Sequence, residues 1–286
     1  MTIPFDPETE RRIGTGDRFS GIDPSRGFAY DIDLSVPCLT TAIHAGHRVR
    51  SELVPLLALS EEERLAEEDA ATDRIIRNCP SIIWGLDSRA EYDLNRPPDK
   101  AVPLTPEMFW GTRVYLSPPG DAMTRRSLEK YEAFYRFTAA VLKRLLDRFG
   151  ACVVYDIHSY NIQRQIEKGH RSPPVFNLGT AGIDRRRWEK PVVEWMERLS
   201  VISLGGGLTT SVAENEVFSG LGEFCRRLTS WRSDILVLPT EISKIYMDEH
   251  AGVVFEPVVD SLTVQLAAAV LSHSAAFGAS SIVNSR

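Results

Sequence analysis

The chain has 286 residues, 43% of them hydrophobic, and a formal net charge of −6. Enough apolar material is present for one sizeable core. The acidic balance, with basic runs that are short and isolated (Arg125–Arg126, Arg185–Arg187, Arg226–Arg227), excludes the basic face that a nucleic-acid binder needs. No stretch reads as the roughly 20 apolar residues of a membrane span, and the first residues lack the basic-then-apolar order of a secretory signal. Cys38, Cys79, Cys152 and Cys225 are widely spaced among apolar neighbours. They read as reduced core thiols, so the expected compartment is the cytoplasm. Composition leaves the oligomeric state open.

In chain order, residues 1–35 are rich in Pro, Gly, Asp and Arg and read as an irregular leader. CLTTAI (38–43) is the first strand and stops at His44-Ala45-Gly46. SEEERLAEEDAATDRIIRN (60–78) reads as helix, because Ser60 and Glu63 have capping-box spacing and acids fill the first turns. A second start near Thr72 would divide it in two. SIIWGL (81–86) is a buried strand, and the Pro- and Gly-rich segment 97–124 is a long surface loop. From Arg125 to Phe149, apolar residues (Leu128, Tyr131, Tyr135, Leu142, Leu145) recur at steps of three and four, and Gly150 ends the helix.

ACVVYDI (151–157) then reads as a strand ending at His158, and PVFNLG (174–179) as a short one followed by a helix around 185–199. GLTTSVAEN (207–215) and ILVLPTEI (235–242) are further strands, with GEFCRRLTSW (222–231) helical between them. DSLTVQLAAAVLSHSAAF (260–277) is a helix with a broad apolar face. Strands alternating with helices predict a single α/β domain over 1–286, a three-layer sandwich around a mixed, mainly parallel sheet.

Ligands of open α/β sheets gather beyond the carboxyl ends of the strands. Four of the expected strands end in polar chemistry: His44, Asp87–Arg89, His158 and Glu241. Two histidines at one sheet edge suit catalytic zinc, which takes three protein ligands and keeps a position open. The third ligand should be a carboxylate. Asp73, at the second helix start, is preferred, with Asp69, Glu68 and the neighbouring His47 as rivals. Arg89 and Arg96 carry planar forks suited to carboxylates, and Asn95 adds an amide; the plainer reading pairs an arginine with Asp93 or Glu91. Glu241 in an apolar strand is either paired or a base whose pKa burial raises.

HAG (44–46), EDAATD (68–73), SRAEYDLNR (88–96), DIHS (156–159), NEVFSG (215–220) and TEISKIYMDE (240–249), in this order, resemble the N-formylglutamate amidohydrolase family. That family is in turn similar to the zinc exopeptidases. The resemblance implies a cytoplasmic, zinc-dependent hydrolase of a small N-acyl amino acid, foremost N-formyl-L-glutamate to formate and L-glutamate, a step of histidine catabolism. It implies His44, His158 and Asp73 as metal ligands, Glu241 as the base and Arg89 as the group that stabilises the oxyanion. Asn95 and Arg96 would clamp the substrate carboxylate, and Tyr246 would help close the site. One departure is that carboxypeptidase-type sites read HxxE, where this chain has His47. Two alternatives follow: a different N-acyl amino acid or peptide on the same site, or a non-catalytic carboxylate-binding homologue.

Overall fold

The computed structural model describes residues 7–16 and 18–283. In chain order the elements are α1 (Pro7–Thr15), β1 (Phe19–Ile22), β2 (Phe28–Ile32), β3 (Cys38–Ala42), α2 (Glu61–Glu67), α3 (Thr72–Ile75), β4 (Ile82–Gly85), α4 (Asp121–Phe149) and β5 (Cys152–Tyr160). There follow α5 (Ile162–Glu167), β6 (Phe176–Leu178), α6 (Arg185–Ser200), β7 (Val212–Glu214), α7 (Glu223–Trp231), β8 (Ile235–Ser243), β9 (Met247–Asp248), β10 (Val253–Val254) and α8 (Glu256–Val283). Eight strands form one sheet in the order β1-β2-β4-β3-β5-β8-β6-β7. Its centre, β4-β3-β5-β8, is parallel, while β1, β2 and β6 join antiparallel. The α/β class and the mixed, mainly parallel sheet are as the sequence predicts.

Because successive strand residues point to opposite faces, each central strand feeds two cores. Cys152 and Val154 of β5, with Ile235 and Val237 of β8, pack beneath α4 and α7. Val153, Tyr155 and Ile157, with Leu236 and Leu238, pack against α6 and α8. The α4 layer rests on Tyr131, Phe134, Tyr135, Val141, Leu142 and Leu145, all buried. Each such side chain stabilises the fold by about 1.5–3 kcal/mol. Gly150, at φ 76°, ends α4 with its N–H on the Leu146 carbonyl (2.8 Å).

Three expectations need correction. The leader is ordered where described: α1 packs on the sheet through Ile13, and β1 and β2 extend its edge as an antiparallel pair. The 60–78 stretch divides into α2 and α3 with the second start at Thr72, as the sequence allows, and the Ser60–Glu63 capping box forms as expected. Segment 97–124 follows the surface but is pinned by buried Ala101, Val102, Phe109, Val114 and Tyr115. Finally, one stretch does reach membrane-spanning length and apolarity, Glu256–Ala279 within α8. Its Val259, Leu262, Leu266 and Val270 are buried against the sheet, so a core contact accounts for the apolar composition.

Candidate active site

The strand alternation that builds the first core also builds the site. Along β5, Cys152, Val154, Asp156 and His158 share one face; along β8 the same face carries Ile235, Val237, Pro239 and Glu241. The first two residues of each series meet the helix layer. The last two pass its edge and line a cavity of about 820 Å³ at the carboxyl ends of the strands. β5 runs to Tyr160, so His158 lies inside the strand rather than just after it, and pairs in register with Glu241. Thr41 of β3 reaches across from the adjacent strand, its hydroxyl donating to Asp156 Oδ1 at 2.8 Å.

His44, Asp69 and His158 converge, with one ligand-type atom from each lying within 4.8 Å of the others. All three side chains are buried. His158 Nδ1 is 3.0 Å and His44 Nδ1 3.5 Å from the same Asp69 Oδ2. The far ring nitrogens are held by carboxylates: His44 Nε2 by Asp93 Oδ1 at 2.8 Å, and His158 Nε2 by Asp156 Oδ2 at 2.9 Å. A carboxylate behind each imidazole fixes ring orientation and tautomer, as at histidine metal ligands. His44 Nδ1 is buried without a hydrogen-bond partner. Such an orphaned lone pair costs stability unless something occupies it.

The carboxylate at the histidines is Asp69, not Asp73. Asp73 sits in the first turn of α3, away from the cavity lining, and burial raises its pKa. Asp69 is carried in by the helix break, where Ala71 takes a left-handed backbone (φ 64°) and the Asp69 N–H bonds the His44 carbonyl at 3.0 Å. The two other rivals form a separate cluster. Glu68 accepts hydrogen bonds from His47 Nδ1 and the Ser88 hydroxyl, and His47 also faces Glu61. Gly46 of the HAG segment allows this close packing, since a Cβ there would stand 2.4 Å from the Leu86 carbonyl carbon.

Arg89 donates to Asp93 Oδ2 through Nη2 (2.7 Å) and Nε (3.2 Å), and lines the cavity. Burial works against its charge, but Asp93 and Asp69 more than offset that and raise its pKa. Burial likewise pushes Asp93 upward, yet Arg89 and His44 hold it well below the usual carboxylate range. The plainer sequence reading of Arg89, a pairing with Asp93, thus holds. Glu91 pairs instead with Arg50. Asn95 Oδ1 accepts from the Phe224 N–H at 3.1 Å, which caps α7 and leaves the amide NH₂ available. A Cβ on Gly222 would stand 2.2 Å from that Oδ1, so glycine is required there. Arg96 lines the cavity, and no ion pair engages its guanidinium among the described residues.

Burial pushes the Glu241 carboxyl up to about 8; Asp69 and Asp156 add to the rise, while His158 and Arg89 oppose it. His158, despite burial, is drawn well above the ordinary histidine range by Asp156 and Asp69. Tyr246 does not close the cavity. It is wholly buried, and its hydroxyl donates to the Ala70 carbonyl (2.8 Å), bracing the turn that carries Asp69.

Sequence reasoning missed Asp93, Asp156 and Lys244. Asp156 was findable, because a carboxylate two residues before a strand histidine shares its face. Asp93 was weighed only as an arginine partner. Lys244 is 2% exposed, bonds the Ala66 carbonyl through Nζ (2.9 Å), lines the cavity and has its pKa lowered by burial. Only its place directly after an apolar strand hinted at it.

The sequence profile of the N-formylglutamate amidohydrolase family matches residues 36–247. No curated protein sequence matches the chain. Among solved structures, the N-formylglutamate amidohydrolase of Ralstonia eutropha JMP134 aligns with a TM-score of 0.66 at 19% identity, covering 86% of this chain and 97% of that one. A gene product of Agrobacterium tumefaciens aligns at 0.59 with 18% identity, covering 94% and 99%. These two likenesses establish a shared fold.

Proposed function

The chain belongs to the N-formylglutamate amidohydrolase family, and we propose that it is a zinc-dependent enzyme that cleaves a small N-acyl group from an amino acid, with N-formyl-L-glutamate the leading substrate. Membership makes it an amidohydrolase; the metal and the substrate are the proposal. The observation that carries it is the buried His44–Asp69–His158 cluster with a carboxylate behind each imidazole. The donor set fits zinc, for it offers two nitrogens and one oxygen, and His44 Nδ1, which makes no hydrogen bond and faces Asp69 Oδ2 at 3.5 Å, is a lone pair suited to a cation. The buried, unpaired thiols of all four cysteines suit a cytoplasmic setting.

Bound there, zinc would supply Lewis-acid polarisation and acidify water. The remaining chemistry belongs to side chains. Glu241 takes a proton from the attacking water and delivers it to the departing amine nitrogen, which a carboxylate of raised pKa does readily. Arg89, fixed by Asp93, presents its remaining N–H groups to the carbonyl oxygen as negative charge develops. Arg96 and the free Asn95 amide hold the substrate carboxylate, with Arg96 unpaired until it arrives. Lys244, just past the carboxyl end of β8 that carries Glu241, adds positive charge to the cavity lining, favouring anionic substrates.

The cavity volume favours a second reading on the same site. About 820 Å³, with exposed Phe218 and Leu221 on its lining, exceeds what a formyl group needs and would admit a larger acyl group. Elemental analysis with hydrolysis assays on N-formyl-, N-acetyl- and N-succinyl-L-glutamate tests both. Stoichiometric zinc and formate release are expected. Zinc with release only of the larger acids would select the second reading. Protein that takes up no zinc and hydrolyses none of the three would end the proposal.

A further inference from the structure

Trp110 stands where a bulky residue is least expected. It follows the 3-10 turn Pro106–Phe109 in a left-handed backbone (φ 51°, ψ 29°), a region that favours glycine. Its ring is 50% exposed, whereas Phe109 beside it is buried at 1% and anchors the turn in the core. The bend is held by the Gly111 N–H on the Pro106 carbonyl (2.8 Å) and the Thr112 N–H on the Phe109 carbonyl (2.8 Å). A strained backbone that presents an exposed indole, in a segment otherwise pinned by its apolar residues, needs a reason beyond packing.

The ring provides one. The Arg89 guanidinium carbon lies 4.4 Å, and that of Arg96 5.1 Å, from the Trp110 ring centroid, and all three residues line the cavity. A guanidinium that stacks uses its flat face and keeps its N–H edges free in the plane. Arg89 has Asp93 as a second support; Arg96 has no ion pair among the described residues, so the indole is its support. We propose that Trp110 is a positioning residue, an aromatic platform that orients the guanidiniums of Arg89 and Arg96 toward an N-acyl amino acid carboxylate and carbonyl. The inference rests on the roles given above to the two arginines. It makes the 97–124 segment part of the substrate site.

The test compares wild type with Trp110→Gly, Trp110→Phe, Arg96→Ala and the Arg96→Ala/Trp110→Gly pair. Glycine suits the left-handed backbone, so Trp110→Gly should keep or raise Tm while KM for N-formyl-L-glutamate rises roughly 3- to 30-fold. Trp110→Phe keeps a π face and should restore KM to within about 3-fold. Because the ring acts through Arg96, adding Trp110→Gly to Arg96→Ala should raise KM by much less than it does in wild type. Unchanged KM in Trp110→Gly, a Tm that falls with activity, or fully additive effects would each overturn the proposal. Titration calorimetry with N-formyl-L-glutamate separates this inference from the proposed reaction. If wild type binds without turnover, the reaction fails, and a Kd weakened in Trp110→Gly still supports the platform; an equal Kd refutes it.

Discussion

Two buried histidines flank β5 and behave in opposite ways. His158 lies on one face with a carboxylate at each ring nitrogen, Asp156 at 2.9 Å and Asp69 at 3.0 Å. His273 of α8 lies against the other face, accepting from the Tyr155 hydroxyl at Nδ1 (2.6 Å) and donating to the Pro191 carbonyl from Nε2 (2.8 Å), with Tyr155 and Trp195 rings around it. Both rings are satisfied and both are out of water. Yet the carboxylates draw the His158 pKa well up, whereas burial, with the nearby Arg198 charge adding to it and no acid opposing it, lowers that of His273 to about 4. Burial alone therefore does not mark a functional histidine. The charge of its partners does, and a nitrogen that faces an acid is one that can exchange a proton for a metal.

The sharpest way to break this contrast is substitution. His158→Ala should remove bound zinc and lower turnover by at least about 10³-fold, as should Glu241→Gln with its zinc retained, while His273→Gln stays within about 3-fold. Formate release and elemental analysis read all three, and zinc-loaded, active His158→Ala would defeat the assignment. Next in size is the acid response of His273. Its folded pKa is depressed from 6.5 to about 4, so the unfolded chain binds the proton first as pH falls. Stability that is fully present above pH 6.5 should decline toward pH 4, by roughly 3 kcal/mol in all. Denaturant midpoints of wild type and His273→Gln should converge over that interval, and parallel curves would show that His273 carries no linkage.

Smaller effects sharpen the comparison. Asp156→Asn keeps the hydrogen bond to His158 but removes the charge, and zinc affinity should fall 10- to 100-fold in a competitive chelator titration. An unchanged affinity would mean that Asp156 only fills space. Asp73→Asn should change neither zinc content nor kcat/KM by more than about 2-fold, the expected behaviour of a carboxylate off the site. A large loss there would return Asp73 to the ligand set in place of Asp69.

The central fold was legible because its periods are simple. β5, β8 and α4 announce themselves through steps of two, or of three and four, and the strand-end rule then found His44, His158 and Glu241. What was hidden has no compositional mark. The helix break that delivers Asp69 turns on Ala71 in a left-handed backbone, a conformation usually signalled by glycine or asparagine, so the second start near Thr72 was legible but the turn that carries Asp69 was not. Trp110 hides for the same reason. β1, at the sheet edge, and β2 beside it are only four and five residues long and lie among Gly, Asp and Arg, where tertiary pairing outweighs local preference. The family resemblance implied that Tyr246 helps close the site, whereas its ring is wholly buried and its hydroxyl reaches the Ala70 carbonyl.

The cluster draws on chain segments far apart: His44 after β3, Asp69 between α2 and α3, His158 in β5 and Glu241 in β8. β3 and β8 flank β5 on either side in the sheet. During synthesis the chain therefore reaches residue 158 with every proposed ligand made but with one edge of β5 still unpaired. Glu241, the carboxylate proposed to transfer the proton, emerges more than eighty residues later, on the strand that fills that edge. A ribosome-bound fragment ending before β8 would carry the histidines without the proposed base, so the proposed hydrolysis would switch on only as the last central strand docks.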